Sequence, residues 1–357
     1  MKNKALLIAN NGPEISFGGG QRTLMTIKIL EAQGYKVEIM LLLNKVWGEY
    51  NEENECIKKW KLQYGLVKYF HLSYKNPYLP CYSVVKWLCK VQYKYTKIIF
   101  RDETTAFKAG FYFMPNLKTI IDLNDFLLPH LNWFRKLKYY PLHLVLKYNI
   151  YQAWVLIEKQ KKYFGKKGYC IPNLPLNMFY KTDLHFTKQR SIIPTALFVG
   201  SYLGEFIKFL EVADKYIKTM NPFQLFIISR AITDDMKSRF TSSQYVWINN
   251  AESIEEYYSK AWISIVPGYK KDGPLIKFIE SIYFNTPVVC TTVSLNGYEI
   301  FNEKEILIPN SNDVLEFILN MKNILLSEDE LDKIASKLKL IANNKFTLNT
   351  IIHTLNN

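Results

Sequence analysis

Along the chain, short apolar runs alternate with longer amphipathic stretches. Lys4–Ala9 is apolar throughout, a polar loop NNGPEISFGGGQ follows, Arg22–Gln33 is amphipathic and closed by Gly34, and Lys36–Leu43 is again almost wholly apolar. An apolar run without polar alternation suits a strand buried on both faces, and an apolar stripe at helical spacing suits a helix lying over it. Strand, glycine loop, helix and strand make a βαβ unit, which predicts a parallel sheet. Further strands are expected at Leu66–Leu72, Lys97–Phe100, Lys118–Leu123, Ala153–Ile157 and Tyr169–Ile171, with helical segments between several of them.

The series is broken by Ile171-Pro172-Asn173-Leu174-Pro175 and by a polar, irregular stretch from Lys181 to Pro194. It then restarts, with strands expected at Ala196–Val199, Phe223–Ile228, Tyr245–Ile248, Trp262–Val266 and Pro287–Cys290. Helices are expected at Glu205–Met220, Asp234–Phe240, Ser253–Ser259, Leu275–Phe284 and Glu328–Asn344. At 357 residues the chain exceeds one compact domain. The pattern predicts an α/β protein of two Rossmann-like domains whose parallel sheets face each other across a cleft. Its parts are a domain at 1–172, a linker at 173–194, a second domain at 195–330 and a helical segment at 331–357.

Composition narrows the chemistry. Hydrophobic residues make up 48% of the chain, enough for two cores and against disorder. Five cysteines (Cys56, Cys81, Cys89, Cys170 and Cys290) are widely spaced with no C-x-x-C pair, which points to reduced thiols in a cytoplasmic protein. The five histidines have no metal-ligand spacing, and no Asp-x-Asp motif stands out, so no metal and no cofactor are expected. The N-terminal apolar run is too short for a signal peptide, and no stretch is long enough to span a membrane.

The net charge of +14 is lopsided: residues 1–172 hold 27 Lys and Arg against 12 Asp and Glu, and the remainder is close to neutral. The first half is thus expected to meet an anionic partner: nucleic acid, an acidic lipid surface or an anionic acceptor. No recognisable RNA- or DNA-binding module accompanies the charge, so nucleic acid is set aside. On a helix, Lys86, Lys90, Lys94 and Lys97 would line up as one basic stripe, and WFRKLKYYPLHLVLK (Trp133–Lys147) mixes aromatic with basic residues. Both are candidates for a membrane or acceptor face.

The densest chemistry lies in DGPLIKFIESIYFNTPVVCTT, Asp272–Thr292. Gly273 frees the backbone, Pro274 suits the first turn of a helix, and Thr286-Pro287 ends it before a β-branched strand. Helix-start amides bind anions, and Asp272 and Glu280 on either side of that start can grip hydroxyls. The combination suits a phosphorylated, hydroxyl-rich ligand such as a nucleotide sugar. Gly18-Gly19-Gly20, between strand and helix, reads as a second anion-facing loop, without the G-x-G-x-x-G spacing of dinucleotide folds. Asp122 ends a buried strand, where ligands collect at sheet edges. Trp247-Ile248-Asn249-Asn250 closes another strand, placing Asn249 to meet a nucleobase.

Four segments, in this order, resemble the retaining glycosyltransferases of family 4, which have the GT-B fold. They are ISFGGGQRTLMTIKILEAQGYKVEIMLL, GYCIPNLPLNMF, ALFVGSYLGEFIKFLEVADKYI and VWINNAESIEEYYSKAWISIVPGYKKDGPLIKFIESIYFNTPVVCT. The resemblance places the family's Glu-x7-Glu pair on Asp272 and Glu280, implying Glu280 on the nucleotide ribose and Asp272 at the donor sugar. It sets Gly273, Leu275 and Ile276 amides against the diphosphate, with Lys277 where one branch has a lysine. Gly19 and Gly20, in the N-terminal glycine loop, and Gly200, at the first strand end of the nucleotide-binding domain, are implied as donor-binding positions. The chain departs from the pattern in four places. Ser201 follows Gly200 in place of an arginine, Lys208 stands one position beyond the usual phosphate lysine, Asp122 stands where a histidine near the donor sugar is common, and Asp272, the other candidate catalytic residue with Asp122, is one methylene shorter than Glu. Arg230 is a candidate to compensate.

The resemblance implies transfer of a sugar from a nucleotide sugar to a hydroxyl of a glycan or lipid-linked glycan, with retention, in bacterial surface polysaccharide synthesis. It implies a cytoplasmic enzyme, with the inner membrane face as a further location. A sugar-nucleotide epimerase of the same fold and a non-catalytic nucleotide-sugar binder are the alternatives.

Overall fold

The computed structural model describes residues 3–13, 18–44, 54–72, 76, 78–113, 118–123, 131–174, 187–200, 203–220, 222–249, 251–268, 276–298, 300–301, 313–324 and 328–356. The chain divides into two compact units, Met1–Pro172 with Leu348–Asn357, and Asn173–Thr347.

Unit 1 is built on seven strands: β1 (Lys4–Ala9), β2 (Lys36–Asn44), β3 (Leu66–Leu72), β4 (Lys97–Arg101), β5 (Lys118–Asp122), β6 (Gln152–Val155) and β7 (Gly168–Cys170). They pair in parallel throughout, in the order β3-β2-β1-β4-β5-β6-β7. Helices α1 (Gly18–Ala32), α2 (Glu55–Tyr64), α3 (Tyr82–Val91), α4 (Glu103–Ala109), α5 (Trp133–Asn149) and α6 (Glu158–Phe164) connect them. Alternate strand residues reach opposite faces, so Leu6 and Ile8 of β1, Ile98 and Phe100 of β4, and Ala153 and Val155 of β6 enter one core. Over that face lie Val84 and Leu88 of α3, Phe107 of α4, Leu146 of α5 and Phe164 of α6. Strand order reverses between β1 and β4, so their carboxyl ends form the switch point where α/β sheets open a crevice.

Two expectations change here. The glycine triplet is not a loop but the first turn of α1, which starts at Gly18. The lysine stripe is broken: α3 stops at Val91, Lys94 sits in a 3-10 turn, and Lys97 opens β4 with its ammonium over the Tyr35 ring, 4.5 Å from the centroid. Lys97 is drawn into the sheet because Ile98, Ile99 and Phe100 beside it are fully buried.

Unit 2 carries β8 (Thr195–Val199), β9 (Gln224–Ile228), β10 (Tyr245–Ile248), β11 (Ile263–Val266) and β12 (Val288–Cys290), again parallel, in the order β10-β9-β8-β11-β12. Its helices are α7 (Gly204–Ile217), α8 (Asp234–Arg239), α9 (Glu255–Lys260), α10 (Ile276–Tyr283), α11 (Val314–Ile324) and α12 (Glu328–Lys345). Ala196 and Phe198 of β8 face the larger core with Phe206, Phe209 and Phe317, while Leu197 faces the smaller one with Tyr258 and Phe284. The final stretch, 331–357, holds most of α12, in unit 2, and α13 (Leu348–Asn356), in unit 1. There α13 buries Ile351 and Leu355 and packs with α1.

The stretch before β8 is stitched to unit 2 by two cations. Arg190 pairs with Asp332 of α12, and Lys188 donates to the Tyr258 carbonyl (2.7 Å) and to Thr286 Oγ1 (2.8 Å). Burial, helped by the Arg190 charge and offset in part by Asp332, pushes the Lys188 amine down to about 7. An unfolded chain holds that proton to near the ordinary lysine value, so between about pH 7 and 10 the unfolded state binds more protons and stability rises with pH. Melting curves across this range are expected to gain on the order of 1 kcal/mol per pH unit from this group, and Lys188→Met to remove that slope. Identical slopes in the two proteins would contradict the assignment.

Candidate functional site

Because all five strands of unit 2 are parallel, their carboxyl ends share one edge, and strand order reverses there between β8 and β11. Gly200, Arg230 and Asn249, singled out from the sequence, lie on that edge. Gly200 directly follows β8 and its N–H donates to the Ile228 carbonyl (3.0 Å). Arg230 follows β9 by two residues, and Asn249 directly follows β10; both side chains are exposed. Lys208, also exposed, lies in the second turn of α7. A lysine or arginine with its head in water on such an edge is placed to meet an anion.

After β11 the chain turns at Pro267-Gly268, and hydroxyls pin the turn. The Gly268 N–H donates to Ser294 Oγ (3.0 Å), Ser294 Oγ bonds the Val266 carbonyl (2.8 Å), and Thr291 Oγ1 bonds the Gly268 carbonyl. Asp272, Gly273 and Leu275 lie outside the described residues. Ile276 opens α10, and Lys277 is in its first turn.

Glu280, in the middle of α10, is only 4% exposed. Its Oε2 accepts from Lys277 Nζ (2.8 Å) and from the Tyr258 hydroxyl (3.2 Å). Both bonds reach one oxygen, so Oε1 keeps its acceptor lone pairs. Burial, and then the Glu280 charge, push the Tyr258 phenol well above its ordinary value, so that hydroxyl remains a donor at any working pH. Below it, Ser281 Oγ contacts Ser264 Oγ (2.8 Å) and the Lys277 carbonyl (2.7 Å), tying α10 to β11. The sequence marked Glu280 and Lys277 but not Tyr258, whose partner is 22 residues away. An aromatic with a polar tip inside an otherwise apolar helix face is the signal that points to it.

In unit 1 the geometry around Asp122 differs from the free strand-end acid expected. The side chain is fully buried. Arg22 Nη2 and Nε donate to Oδ1 (2.6 and 3.0 Å), the Thr26 hydroxyl donates to Oδ2 (2.5 Å), and Arg101 Nε stands 3.8 Å from Oδ2. Burial opposes ionisation, yet the Arg22 and Arg101 charges and these hydrogen bonds hold the carboxyl below its ordinary range. Arg22 Nη1 also donates to the carbonyls of Ile171 (2.9 Å) and Pro172 (3.0 Å), the residues at which unit 1 hands over the chain. Arg22 follows the glycine triplet, so one side chain ties the start of α1, the end of β5 and the exit of unit 1 together. Gly19 and Gly20 sit in that first turn, with the Gly19 carbonyl accepting from Thr23 Oγ1 (3.1 Å).

At the unit 1 switch point, Asn10 beyond β1 donates to Asp102 beyond β4 (2.5 Å). Asp102 has φ 78°, a conformation that costs a non-glycine residue about 1–3 kcal/mol and that clusters at functional positions. It also caps α4 by accepting from the Thr105 N–H (2.9 Å). Neither residue was singled out by sequence; Asn10 closes the apolar run of β1, and Asp102 follows Arg101 at the end of β4. Among the described residues no cluster of His, Cys, Asp and Glu is arranged to hold a metal ion. Among the same residues no helix is long and apolar enough to cross a membrane.

Solved structures share this architecture over nearly the whole chain. Sucrose-phosphate synthase from Thermosynechococcus elongatus is 14% identical, with 99% of this chain and 98% of that one covered and a TM-score of 0.73. Alr3699/HepE of Anabaena, solved with UDP and glucose, is 11% identical over 99% and 98%, with a TM-score of 0.71. A TarM variant of S. aureus, solved with fondaparinux, alpha-GlcNAc-glycerol and UDP, is 10% identical over 99% of both chains, with a TM-score of 0.74. No curated protein matches the chain by sequence. The fold is thus that of GT-B glycosyltransferase structures. Over residues 193–327, which span every strand of unit 2 together with α10, the chain matches the family model described as Glycosyl transferases group 1.

Proposed function

We propose that the protein transfers a glycosyl unit from a nucleotide-sugar donor to a hydroxyl of a glycan or lipid-linked glycan. The observation that carries the reading is the coincidence of the family match with one sheet edge. Glu280, Lys277, Lys208, Arg230, Gly200 and Asn249 all belong to the matched residues; Gly200, Arg230 and Asn249 stand at the carboxyl edge of unit 2, and Lys208 and Lys277 lie in the first two turns of the helices that follow β8 and β11. In this reading Glu280 Oε1 accepts from a ribose hydroxyl, while Tyr258 and Lys277 hold the carboxylate by its other oxygen. Asn249 meets the base. Ile276 at the start of α10 is assigned to the diphosphate together with the Gly273 and Leu275 amides, and Asp272 is assigned to the donor sugar.

The difficult step is departure of the nucleoside diphosphate, which builds negative charge. Lys208, Arg230 and the α10 amides are assigned to stabilise it, with no metal ion and no cofactor invoked. Retention of configuration is the expected stereochemistry. Unit 1 takes the acceptor, with Asn10 and Asp102 at its switch point. Asp122 is reassigned from the donor sugar to holding Arg22 and the start of α1. HepE solved with UDP-glucose and TarM solved with alpha-GlcNAc-glycerol and UDP support this substrate class. Synthesis of a bacterial surface polysaccharide at the cytoplasmic side of the membrane is the setting we assign.

A thermal-shift series with nucleoside diphosphates and nucleotide sugars tests the donor site. A ligand that binds only the folded protein stabilises it by about 2.7 kcal/mol at a hundredfold excess over Kd. A rise in melting temperature with at least one diphosphate is expected, and no rise with any of them sinks the assignment. Nucleotide release that requires an added glycan acceptor separates transfer from epimerisation, which proceeds without one.

A further inference from the structure

Helix α5 is apolar on two sides. Its inner side buries His143 and Leu146 in the unit 1 core. Its outer side carries Trp133 (66% exposed), Phe134 (77%), Leu137 (58%) and Tyr148 (69%), with Tyr140 between them. At 100° per residue these five fall within one face of the helix, so they form a continuous strip rather than scattered single exposures. Lys138 borders the strip on one side, exposed, and Lys136 and Lys147 border it on the other, half-buried; α5 has no acidic residue.

The neighbouring surface agrees in sign. Helix α3 packs into the same core layer as α5, and Tyr78, just before α3, stacks on Tyr139 of α5 at 3.7 Å. From Tyr82 through Lys94 there is again no acidic residue, and Tyr82 and Tyr93 are exposed beside Lys86 and Lys90. The unit to which both helices belong carries the entire positive excess of the chain.

We propose that the outer face of α5 docks on an anionic lipid bilayer, with Trp133, Phe134 and Leu137 entering the headgroup region and Lys136 and Lys138 meeting lipid phosphates. A protein or nucleic-acid partner fits less well. Aromatic rings with polar tips, flanked by cations and free of carboxylates, match the layered polarity of a bilayer surface. Nucleic acid offers no apolar layer to receive the strip. Docking here goes beyond the proposed sugar transfer and does not depend on it.

The full chain is mixed with vesicles of phosphatidylcholine, alone or blended with phosphatidylglycerol. Binding to the anionic blend at low salt is expected, with release as the screening length shrinks from about 10 Å at 0.1 M to about 3 Å at 1 M. Each basic residue near such a surface contributes roughly fivefold in partition, so Lys136→Gln with Lys138→Gln should weaken binding by more than tenfold. Trp133→Ser, Phe134→Ser and Leu137→Ser together should cost about tenfold or more, with an unchanged melting temperature because all three side chains are exposed. The conservative Trp133→Phe should keep the partition but lose the fluorescence quenching by brominated lipids seen with the parent. The proposal is overturned if the parent ignores anionic vesicles at low salt. It is also overturned if the triple serine variant partitions like the parent, which leaves only a surface charge effect. A parent that is dimeric without lipid and made monomeric by the triple change assigns the face to a second copy, and again overturns it.

Discussion

Arg22→Met is expected to destabilise unit 1 by about 3–5 kcal/mol, because removing one member of a buried pair leaves the other charged and alone. Arg22 and Asp122 expose 1% and 0% of their side chains, so water cannot take the missing partner's place. For a unit of this size each kcal/mol lowers the melting temperature by about 2–4 °C, giving a fall of roughly 10 °C in the unit 1 transition by calorimetry. The linkage with pH has a definite sign. With its pKa depressed in the folded protein, Asp122 contributes stability above the ordinary carboxylate range and loses it as pH falls. Without Arg22 the carboxyl titrates higher, so acid unfolding begins at higher pH. Arg22→Met with Asp122→Asn should recover part of the loss; the carbonyls of Ile171 and Pro172, which Arg22 also serves, keep the recovery incomplete. A unit 1 transition within a degree of the parent would show that the cluster is not what holds these elements.

Glu280→Gln should weaken nucleoside diphosphate binding by about 10–100-fold, the value of a hydrogen bond to a charged acceptor of about 1.5–3 kcal/mol. Glutamine keeps the volume and an acceptor for Tyr258, so the fold should persist. Tyr258→Phe removes one of the two groups that orient the carboxylate and should cost less, about fivefold, because Tyr258 acts on the ribose only through Glu280. Titration calorimetry with the diphosphate found by the thermal-shift series reads both. Equal dissociation constants for parent and Glu280→Gln would move the ribose to another residue while leaving the donor site in place.

Much of the sheet framework was readable because fully buried parallel strands leave a blunt signature. KALLIA, QLFII and YVWI each stand out as apolar runs between punctuating loops, and the strands formed at or within a residue or two of their expected bounds. What failed to show were facts of pairing at a distance. Asp122 looked like a free strand-end acid because its counter-ion is 100 residues earlier. The glycine triplet looked like a loop because glycine disfavours helix, yet Leu24, Met25 and Ile29 of the same helix are buried and tertiary packing outweighs propensity. Lys97 fitted both a helical stripe by spacing and the start of an expected strand, and the burial of Ile98, Ile99 and Phe100 decides for the strand. The strained backbone of Asp102 leaves no trace in sequence at all.

Helix α13 belongs to unit 1, although the whole of unit 2 precedes it in the chain. Synthesis runs from the N-terminus at about 5–20 residues per second, so the unit begun first is completed last. Until α13 arrives, the surface of α1 that it covers stays exposed to water and to other nascent chains. Unit 2 is contiguous and has no such wait. A fragment ending at Pro172 would therefore lack part of its own core, and a short truncation of α13 would be felt in the unit farthest from it along the sequence.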